Sequence, residues 1–456
     1  MVTAIIVVFA LGYLAITLEH TLKIDKLIPA VAMMAICWAL VALGVDDIAY
    51  WFGELGHGEG AGLIPGFADM GHDDKLHLVE STLLHHLGKT AEILVFLLGA
   101  MTIVELIDYF DGFAALKRFI RTNKRRNLLW IMSILAFILS AVIDNLTATI
   151  VLITILRKLV KDQKLRMWFA GMIVIAANAG GAWSPIGDVT TTMLWIGDKV
   201  TTGHLISNLL LPSTVCMIVP TVLAGFLPAF RGTFDPMESN AESSRYSGPM
   251  LTLGLLAILF VPVFKTVTHL PPYVGMMLSL AIVGIVAEVL SNRKVDLTNV
   301  GHGDSAGHHS PVHKALTKVE MPSILFFLGI LLGVAALESI GQLYFAAQWL
   351  DTTVPNQNVV VMLLGAGSAV VDNVPLVAAS MSMYSADLDA PLWHFVAYAA
   401  GTGGSMLIIG SAAGVVAMGL ERISFVWYLR KIAWLALIGF LAGAALILLM
   451  NPIPVS

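Results

Sequence analysis

The sequence is short of charged residues and rich in hydrophobic ones. Of its 456 residues, 12% are Asp, Glu, Lys or Arg, and 57% are hydrophobic. Soluble proteins carry about 25% charged residues, so this chain has too few charges to cover the several soluble domains that its length would form. The net charge of −5 gives no basic surface for nucleic acid. The composition therefore predicts an all-α polytopic membrane protein whose surroundings are the lipid bilayer.

Cysteine is also scarce. The only two, Cys37 and Cys216, lie within apolar runs, which argues against both a disulfide and a cysteine-based metal site. We expect no cofactor. The apolar run 2–18 has no basic residue before it, whereas a cleaved signal peptide begins with a positively charged region, so this run is predicted to be the first membrane span.

Ten apolar stretches are long enough to cross about 30 Å of hydrocarbon. They cover residues 2–18, 27–45, 92–110, 168–196, 205–230, 249–266, 273–290, 321–343, 393–420 and 432–450. Of the 26 Lys and Arg residues, 22 lie in the loops of one side and 4 in those of the other. The positive-inside rule makes the first side cytoplasmic and predicts that both termini are outside.

Two further apolar segments are predicted to enter the membrane and leave it on the same side. Segment 127–156 has a basic cluster before it and another after it. Its length allows two half-depth helices at 1.5 Å per residue but not two full spans. Segment 359–385 is flanked by Asp351 and Asp387 and by no basic residue. We therefore predict an inner re-entrant hairpin at 127–156 and an outer one at 359–385.

The two halves of the chain resemble each other. Residues 141–145 read Ala-Val-Ile-Asp-Asn and residues 369–373 read Ala-Val-Val-Asp-Asn, while the Gly-rich run 176–181 recurs at 399–404. The halves begin on opposite sides of the membrane, which is the pattern of an inverted-topology repeat, whose substrate site lies at the repeat interface. The predicted organisation is a first repeat at 1–230, a cytoplasmic linker at 231–248 and a second repeat at 249–456. Spans 168–196 and 393–420 are predicted to be broken helices.

Polar residues cluster at the two hairpin tips and the two helix breaks. Gly and Pro free backbone groups there, and side-chain oxygens are the ligands that hard cations prefer. The candidate ion-binding and proton-exchange residues are Asp144, Asn145, Thr147, Asn178, Ser184, Asp188, Thr190, Asp372, Asn373, Ser405 and Ser411. Sodium itself is assigned to Asp144, Asn145, Asp188, Asp372 and Asn373.

Asp188 is the most informative of these residues. Its repeat counterpart is Ser411, so the symmetry does not require a carboxylate, and a carboxylate inside a membrane is functional by default. Three acids in one cavity cannot all stay ionised, so a carboxylate there is predicted to hold either a proton or a cation in competition. The alternative is that Asp188, or the Asp at a hairpin tip, simply caps the helix that follows.

Three further residues are weaker candidates. His86, Glu92 and Glu105 are candidates for a proton relay or for pH sensing, because His titrates near neutrality. The alternative is that the carboxylates are solvated ends of the span 92–110 and that the histidine belongs to a solvated outer loop, 46–90.

Several of these motifs carry a resemblance to a known family. With Ile143-Asp-Asn-Leu-Thr147, the run from Ala177 through Ser184 and Asp188 to Thr190, and Val371-Asp-Asn-Val-Pro375, the chain resembles the NhaD-type sodium/proton antiporters of the ion transporter superfamily. The resemblance implies export of Na⁺ or Li⁺ in exchange for protons, a bacterial cytoplasmic (inner) membrane and a homodimer. It also implies alternating access by an elevator-like movement of a transport part against a scaffold.

Two other functions remain as alternatives. Related sodium-coupled dicarboxylate transporters, and metalloid anion transporters, share the fold, but the dicarboxylate symporters carry Ser-Asn-Thr at both hairpin tips. Here both tips read Asp-Asn, and a carboxylate repels a dicarboxylate. An intramembrane enzyme is disfavoured because the sequence has no His-Glu-x-x-His and no Gly-x-Ser-x-Gly motif.

Overall fold

The chain is almost wholly helical in the computed structural model, which describes residues 1–17, 22–54, 61–120, 122–234, 246–295, 310–354, 356–369 and 373–453. The helices in these ranges are α1 Val2–Thr17, α2 Leu27–Leu43, α3 His72–Tyr109, α4 Arg125–Ile143, α5 Asn145–Leu159, α6 Gln163–Gly181, α7 Val189–Ile196, α8 Thr202–Ala224, α9 Ser247–Thr268, α10 Pro272–Val295, α11 Pro311–Lys318, α12 Met321–Ser339, α13 Gln342–Thr353, α14 Gln357–Ser368, α15 Asn373–Met383, α16 Pro391–Gly403, α17 Ala412–Glu421, α18 Phe425–Lys431 and α19 Ala433–Met450. Two three-residue strands, β1 Phe52–Glu54 and β2 Ala61–Leu63, pair antiparallel. The all-α prediction is confirmed.

Seven helices of the described ranges are long and apolar enough to cross a membrane, which makes this a multi-pass membrane protein. They are α3, α4, α8, α9, the part of α10 up to Ser291, α12 and α19. Helices α1 and α2 are apolar but shorter. The predicted spans 168–196 and 393–420 are each divided into two helices, α6 with α7 and α16 with α17.

Helix α3 corrects one expectation. The sequence placed His86 in a solvated loop that ended at residue 90, whereas α3 begins at His72 and is 38 residues long. At 1.5 Å per residue it measures about 57 Å, well beyond the about 30 Å of the hydrocarbon layer. Hydropathy did not reveal the first part of α3, because charged residues such as Asp73 and Asp74 are as typical of a loop as of a helix in water. In such a helix, acids in the first turn interact favourably with the helix dipole. Glu92 consequently lies in the middle of a helix and not at its end.

The segment predicted as the inner hairpin contains two helices, α4 and α5, that meet at Asp144. The pair α4 and α5 is longer than two half-depth helices, because it extends into the basic clusters at Arg125 and Arg157. Helices α14 and α15 form the other pair, and the residues between them at 370–372 lie outside the described ranges.

The helices pack into two bodies. In the first body, α12 packs on α2 and α3, α1 on α2, and α10 on α3 and α9. The second body is centred on α6, which packs on α4, α5, α8 and α17, and on α16, which packs on α14, α15 and α19. Residues 169–181 of α6 and 392–403 of α16 are buried without interruption. A helix that is apolar and buried all round lies at the centre of its bundle, so both helix breaks lie deep inside the second body.

Candidate ion-binding site

The inner hairpin turns at a single residue, Asp144, between α4 and α5. Its backbone has φ 75° and ψ 160°, a region that is nearly restricted to glycine and that costs about 1–3 kcal/mol for other residues. The carboxylate caps α5, because Oδ1 accepts a hydrogen bond from the Thr147 amide at 2.7 Å and Oδ2 accepts one from the Thr147 hydroxyl at 2.9 Å. The capping alternative is therefore observed at Asp144, and Thr147 serves the cap.

Close backbone contact presses the break between α6 and α7 against this hairpin. A Cβ added to Gly187 would lie 2.8 Å from the Ser140 carbonyl oxygen and 2.8 Å from the Gly181 Cα. Only glycine fits there. The chain then enters α7 through Asp188, whose Oδ1 accepts a hydrogen bond from the Thr190 amide at 3.1 Å. Asp188 thus also caps the helix that follows it.

The other oxygen of Asp188 is the centre of a buried polar cluster, which we define as Asn145, Asn178, Asp188, Asn373 and Ser411. Each of the five side chains is at most 5% exposed. Asp188 Oδ2 accepts hydrogen bonds from the amide nitrogens of Asn145 at 2.9 Å and Asn373 at 3.2 Å. Both hairpins therefore converge on one carboxylate.

Asn178 extends the polar cluster to the second broken helix. Its carbonyl oxygen accepts a hydrogen bond from Asn145 at 3.0 Å, and its amide nitrogen donates to the Ser411 hydroxyl at 3.0 Å. Ser411 caps α17 through the Gly414 amide. All four predicted breaks, two hairpin tips and two helix breaks, thus contribute a side chain to one site.

The remaining predicted ligands have other surroundings. The Ser184 hydroxyl donates to the Ala141 carbonyl at 2.5 Å, and the Ser405 hydroxyl donates to the Thr402 carbonyl at 2.6 Å, so both hold backbone in place. The Thr190 hydroxyl is buried and has no hydrogen-bond partner among the described residues. Asp372 lies outside the described residues.

A small cleft of about 20 Å³ lies at this site, between the two bodies. The second body contributes Asp144, Asp188 and Thr192 to its wall, and the first contributes apolar side chains that include Phe96 and Ile258. Within the cleft, two carboxylates therefore lie on one side, and the opposite side is apolar. A buried charge without compensation is costly, and such a wall favours a small cation or a proton over an anion.

The three relay candidates contact other residues. His86 Nε2 lies 3.5 Å from the Ser339 hydroxyl, and Glu105 forms an ion pair with Lys318 at 3.8 Å. Glu92 lies within electrostatic reach of Asp198 and Lys265, which pair with each other at 2.9 Å. None of these contacts joins the polar cluster.

Lys199, in the loop between α7 and α8, lies within electrostatic reach of Glu338 in α12. Burial, and then the positive charge of Lys89, lower the pKa of the Lys199 ammonium, whereas Glu338 acts in the opposite direction. The Lys199 ammonium lies 5.0 Å from the centre of the Trp393 ring.

Two serines that the sequence analysis missed hold the hairpins to the broken helices. The Ser140 hydroxyl donates to the Ala177 carbonyl at 2.6 Å, and the Ser368 hydroxyl donates to the Ala400 carbonyl at 3.3 Å. The two residues lie 228 positions apart, the same offset as the two Asp-Asn tips. That offset is the signal that would have identified them.

Comparison with known proteins places the chain among transporters. A family model described as "Citrate transporter" (CitMHS) matches residues 1–393. Sodium/proton antiporter 2 of Arabidopsis thaliana is 36% identical over 98% of this chain and 99% of its own length. The Na⁺/H⁺ antiporter NhaD of Vibrio cholerae is 31% identical over 98% of this chain and 91% of its own length.

A solved structure shares the fold. The YdaH transporter of Alcanivorax borkumensis matches 92% of this chain and 97% of its own length with a TM-score of 0.55 and 13% sequence identity. At that identity the likeness concerns the fold alone.

Proposed function

We propose, because the chain belongs to the citrate transporter family and within it to the NhaD-type transporters, that it exports Na⁺ in exchange for protons. Membership makes it a secondary transporter and not an enzyme. The observation that carries the proposal is Asp188, a carboxylate 3% exposed that accepts hydrogen bonds from the Asn amides of both hairpins.

Asp188 is the group that we propose to exchange cation for proton. Ionised, it carries a negative charge that accepts hydrogen bonds from uncharged amides, and either a proton or a cation neutralises it. Its two Asn partners now present amide nitrogens to it. A cation needs oxygen ligands, so sodium binding requires the two Asn side chains to turn their carbonyl oxygens toward it. A proton on Asp188 likewise requires a hydrogen-bond acceptor in place of one of the amide N–H donors.

Asp144 and the neighbouring polar residues are the second part of the proposal. Asp144 shares the cleft wall with Asp188, and Thr147 already holds its two oxygens, which fixes a second carboxylate in that wall. Two further oxygens belong to the proposed site: the buried hydroxyl of Thr190, two residues after Asp188, and the hydroxyl of Ser411, which accepts a hydrogen bond from Asn178. We propose Asp372 as a third carboxylate of the site, because it occupies the same position in the second Asp-Asn tip as Asp144 does in the first.

We further propose alternating access by an elevator-like movement of the second body against the first. The cleft lies between the two bodies, and the wall contributed by the first body is apolar. An apolar wall offers few hydrogen bonds that must break when the facing body slides along it. All residues of the polar cluster belong to the second body, so the site would travel with it.

The inverted-repeat organisation, with repeats at 1–230 and 249–456, is part of the same proposal. Its support is a set of recurring contacts. A Cβ added to Gly187 would meet the Cα of Ala141, and one added to Gly410 would meet the Cα of Ala369, the counterpart of Ala141 in the second repeat. Likewise Asp188 caps α7 and Ser411 caps α17. We also propose an inner-membrane location with both termini outside, a homodimer, and Li⁺ as a second transported ion.

Citrate, a tricarboxylate, or a dicarboxylate is the competing substrate, because the family model is described as a citrate transporter. The cleft wall opposes it, since Asp144 and Asp188 would repel an anion. A metalloid anion meets the same obstacle.

The test is antiport in everted membrane vesicles from cells that lack other sodium/proton antiporters. We expect Na⁺ and Li⁺, but not K⁺, to collapse a preformed pH gradient, and Asp188→Asn to abolish this response. Asp198→Asn is the matched control, because Asp198 is 80% exposed and lies ten residues further on. No response to Na⁺ or Li⁺ between pH 7 and 9.5, or uptake of labelled citrate without cation exchange, would contradict the proposal.

A further inference from the structure

A buried carboxylate at the end of α17 ties the second half of the chain to the first. The side chain of Glu421 is fully buried, and it accepts hydrogen bonds from Arg157 Nε at 2.8 Å and from Arg166 Nε at 3.0 Å. Its backbone carbonyl accepts a further bond from Gln163 at 3.1 Å. Arg157 lies in the last turn of α5, while Gln163 and Arg166 lie at the start of α6. We call these four residues the inner clasp.

A second link of the same kind joins the opposite ends of the other helices. Asp389, in the loop before α16, accepts hydrogen bonds from the Thr201 amide at 2.7 Å and the Thr201 hydroxyl at 2.8 Å. Its own amide donates to the Lys199 carbonyl at 2.9 Å. The His394 imidazole lies 3.6 Å from the same carboxylate. We call Asp389, Lys199 and Thr201 the outer clasp.

The two clasps are related by their places in the fold. The inner clasp joins the loop after the first hairpin to the end of the second broken helix. The outer clasp joins the loop after the second hairpin to the end of the first broken helix, where α7 is followed by the turn to Thr201. Each clasp therefore crosses from one half of the chain to the other.

The helices held by the clasps carry the polar cluster at their other ends. The inner clasp holds α5, which begins at Asn145, and α17, which begins after Ser411. The outer clasp holds the far end of α7, which begins after Asp188, and the loop that follows α15, which begins at Asn373. At 1.5 Å per residue, α5 is about 22 Å long and α7 about 12 Å. A tilt of any of these helices would change the distances within the cluster.

We propose that Glu421 and Asp389 are positioning residues for ion binding, and that the two clasps hold both hairpins and both broken helices together as one unit. The proposal rests on the movement of the second body against the first given under the proposed function. The clasps remain closed through the transport cycle, so the polar cluster keeps its geometry while the unit moves. Opening the inner clasp by neutralising Glu421 leaves two arginines without their partner, one of them largely buried.

The first experiment measures the half-saturating Na⁺ concentration of Glu421→Gln in proteoliposomes with equal amounts of folded protein. We expect it to rise by about 3- to 30-fold. Asp162→Asn is the matched control, because this exposed carboxylate lies in the same loop and caps α6 without touching Glu421. A residue that only stabilises the fold would lower the yield of folded protein and leave the half-saturating concentration unchanged. That result would overturn the proposal.

The second experiment closes the outer clasp covalently. It tests the proposal even if Glu421→Gln does not fold. In a chain with Cys37→Ala and Cys216→Ala, Thr201→Cys and Asp389→Cys are joined by a short bifunctional thiol reagent. We expect the uncrosslinked pair to bind Na⁺ more weakly than the native chain, and crosslinking to restore both affinity and antiport.

A matched crosslink joins the two bodies instead. The Ser382 hydroxyl on α15 donates to the Glu338 carboxylate on α12 at 2.6 Å, so Glu338→Cys with Ser382→Cys takes the same reagent. We expect this crosslink to arrest antiport. If the crosslink between residues 201 and 389 arrests antiport, the clasp proposal is overturned, while the assignment of the chain as a sodium/proton antiporter is unaffected. Unchanged antiport after the crosslink between residues 338 and 382 would overturn the movement of the two bodies on which the clasp proposal rests.

Discussion

Replacing Gly187 by alanine tests whether the helix break must touch the hairpin. The added Cβ would lie 2.8 Å from Gly181 Cα, 2.8 Å from the Ser140 carbonyl oxygen and 3.0 Å from Ala141 Cα. All three are backbone atoms, so the strain is relieved only by moving the hairpin tip or the break. Overpacking of this kind destabilises by about 1–3 kcal/mol, and the reduced freedom of the unfolded chain offsets about 0.4–1 kcal/mol of it.

Gly419→Ala is the matched control within the second body. Gly419 lies in α17, and an added Cβ would meet no atom within 4 Å. Because glycine in a helix interior is destabilising by about 0.5–1 kcal/mol relative to alanine, this variant should gain stability. The two substitutions, identical in chemistry, are therefore expected to change stability in opposite directions.

Thermal unfolding of the purified variants in detergent, followed by tryptophan fluorescence, measures this difference. Asp188 follows Gly187 directly, so the same substitution should also weaken Na⁺ binding, because the carboxylate moves away from Asn145 and Asn373. The reasoning fails if Gly187→Ala unfolds at the same temperature as Gly419→Ala or at a higher one.

Three further substitutions separate structural from ion-binding roles. Asp144→Gly removes about 1–3 kcal/mol of backbone strain and a cap of about 1 kcal/mol, so thermal unfolding should change little while vesicle antiport falls. Ser184→Ala leaves the Ala141 carbonyl without its donor, which should lower stability by about 1–3 kcal/mol and weaken ²²Na⁺ binding less than Asn178→Leu does. Asn178→Leu removes the bonds to Asn145 and Ser411 and should weaken ²²Na⁺ binding by about 10–100-fold. Normal antiport by Asp144→Gly, or native ²²Na⁺ affinity in Asn178→Leu, would contradict these roles.

Most helices of this fold are predictable from the sequence, because the hydropathy and charge of a short segment decide whether that segment lies in the membrane. The segments around Val2–Thr17 and Ala433–Met450 were recognised from apolar length alone, and the Gly-rich runs marked both broken helices. The start of α3 at His72 was missed because an exposed helical turn and a loop have the same polar composition.

The residues of the polar cluster were predictable from the sequence, but their contacts were not. The repeated Asp-Asn tips pointed to Asn145 and Asn373, and the lone intramembrane carboxylate pointed to Asp188. The bond from Asn178 to Ser411 spans 233 residues, and its formation depends on how α6 and α17 pack, which no local pattern records. Glu421 gave no signal either, since an acid at a helix end usually faces water.

Proton release on sodium binding tests most directly whether one carboxylate holds either ion. In a weakly buffered detergent solution with a pH indicator, adding Na⁺ to the purified native chain should release protons at a pH where Asp188 is protonated. The Asp188→Asn variant should release none, and Asp198→Asn should behave like the native chain. Sodium binding to the native chain without proton release at any pH from 7 to 9.5, or equal release from Asp188→Asn, would contradict the account.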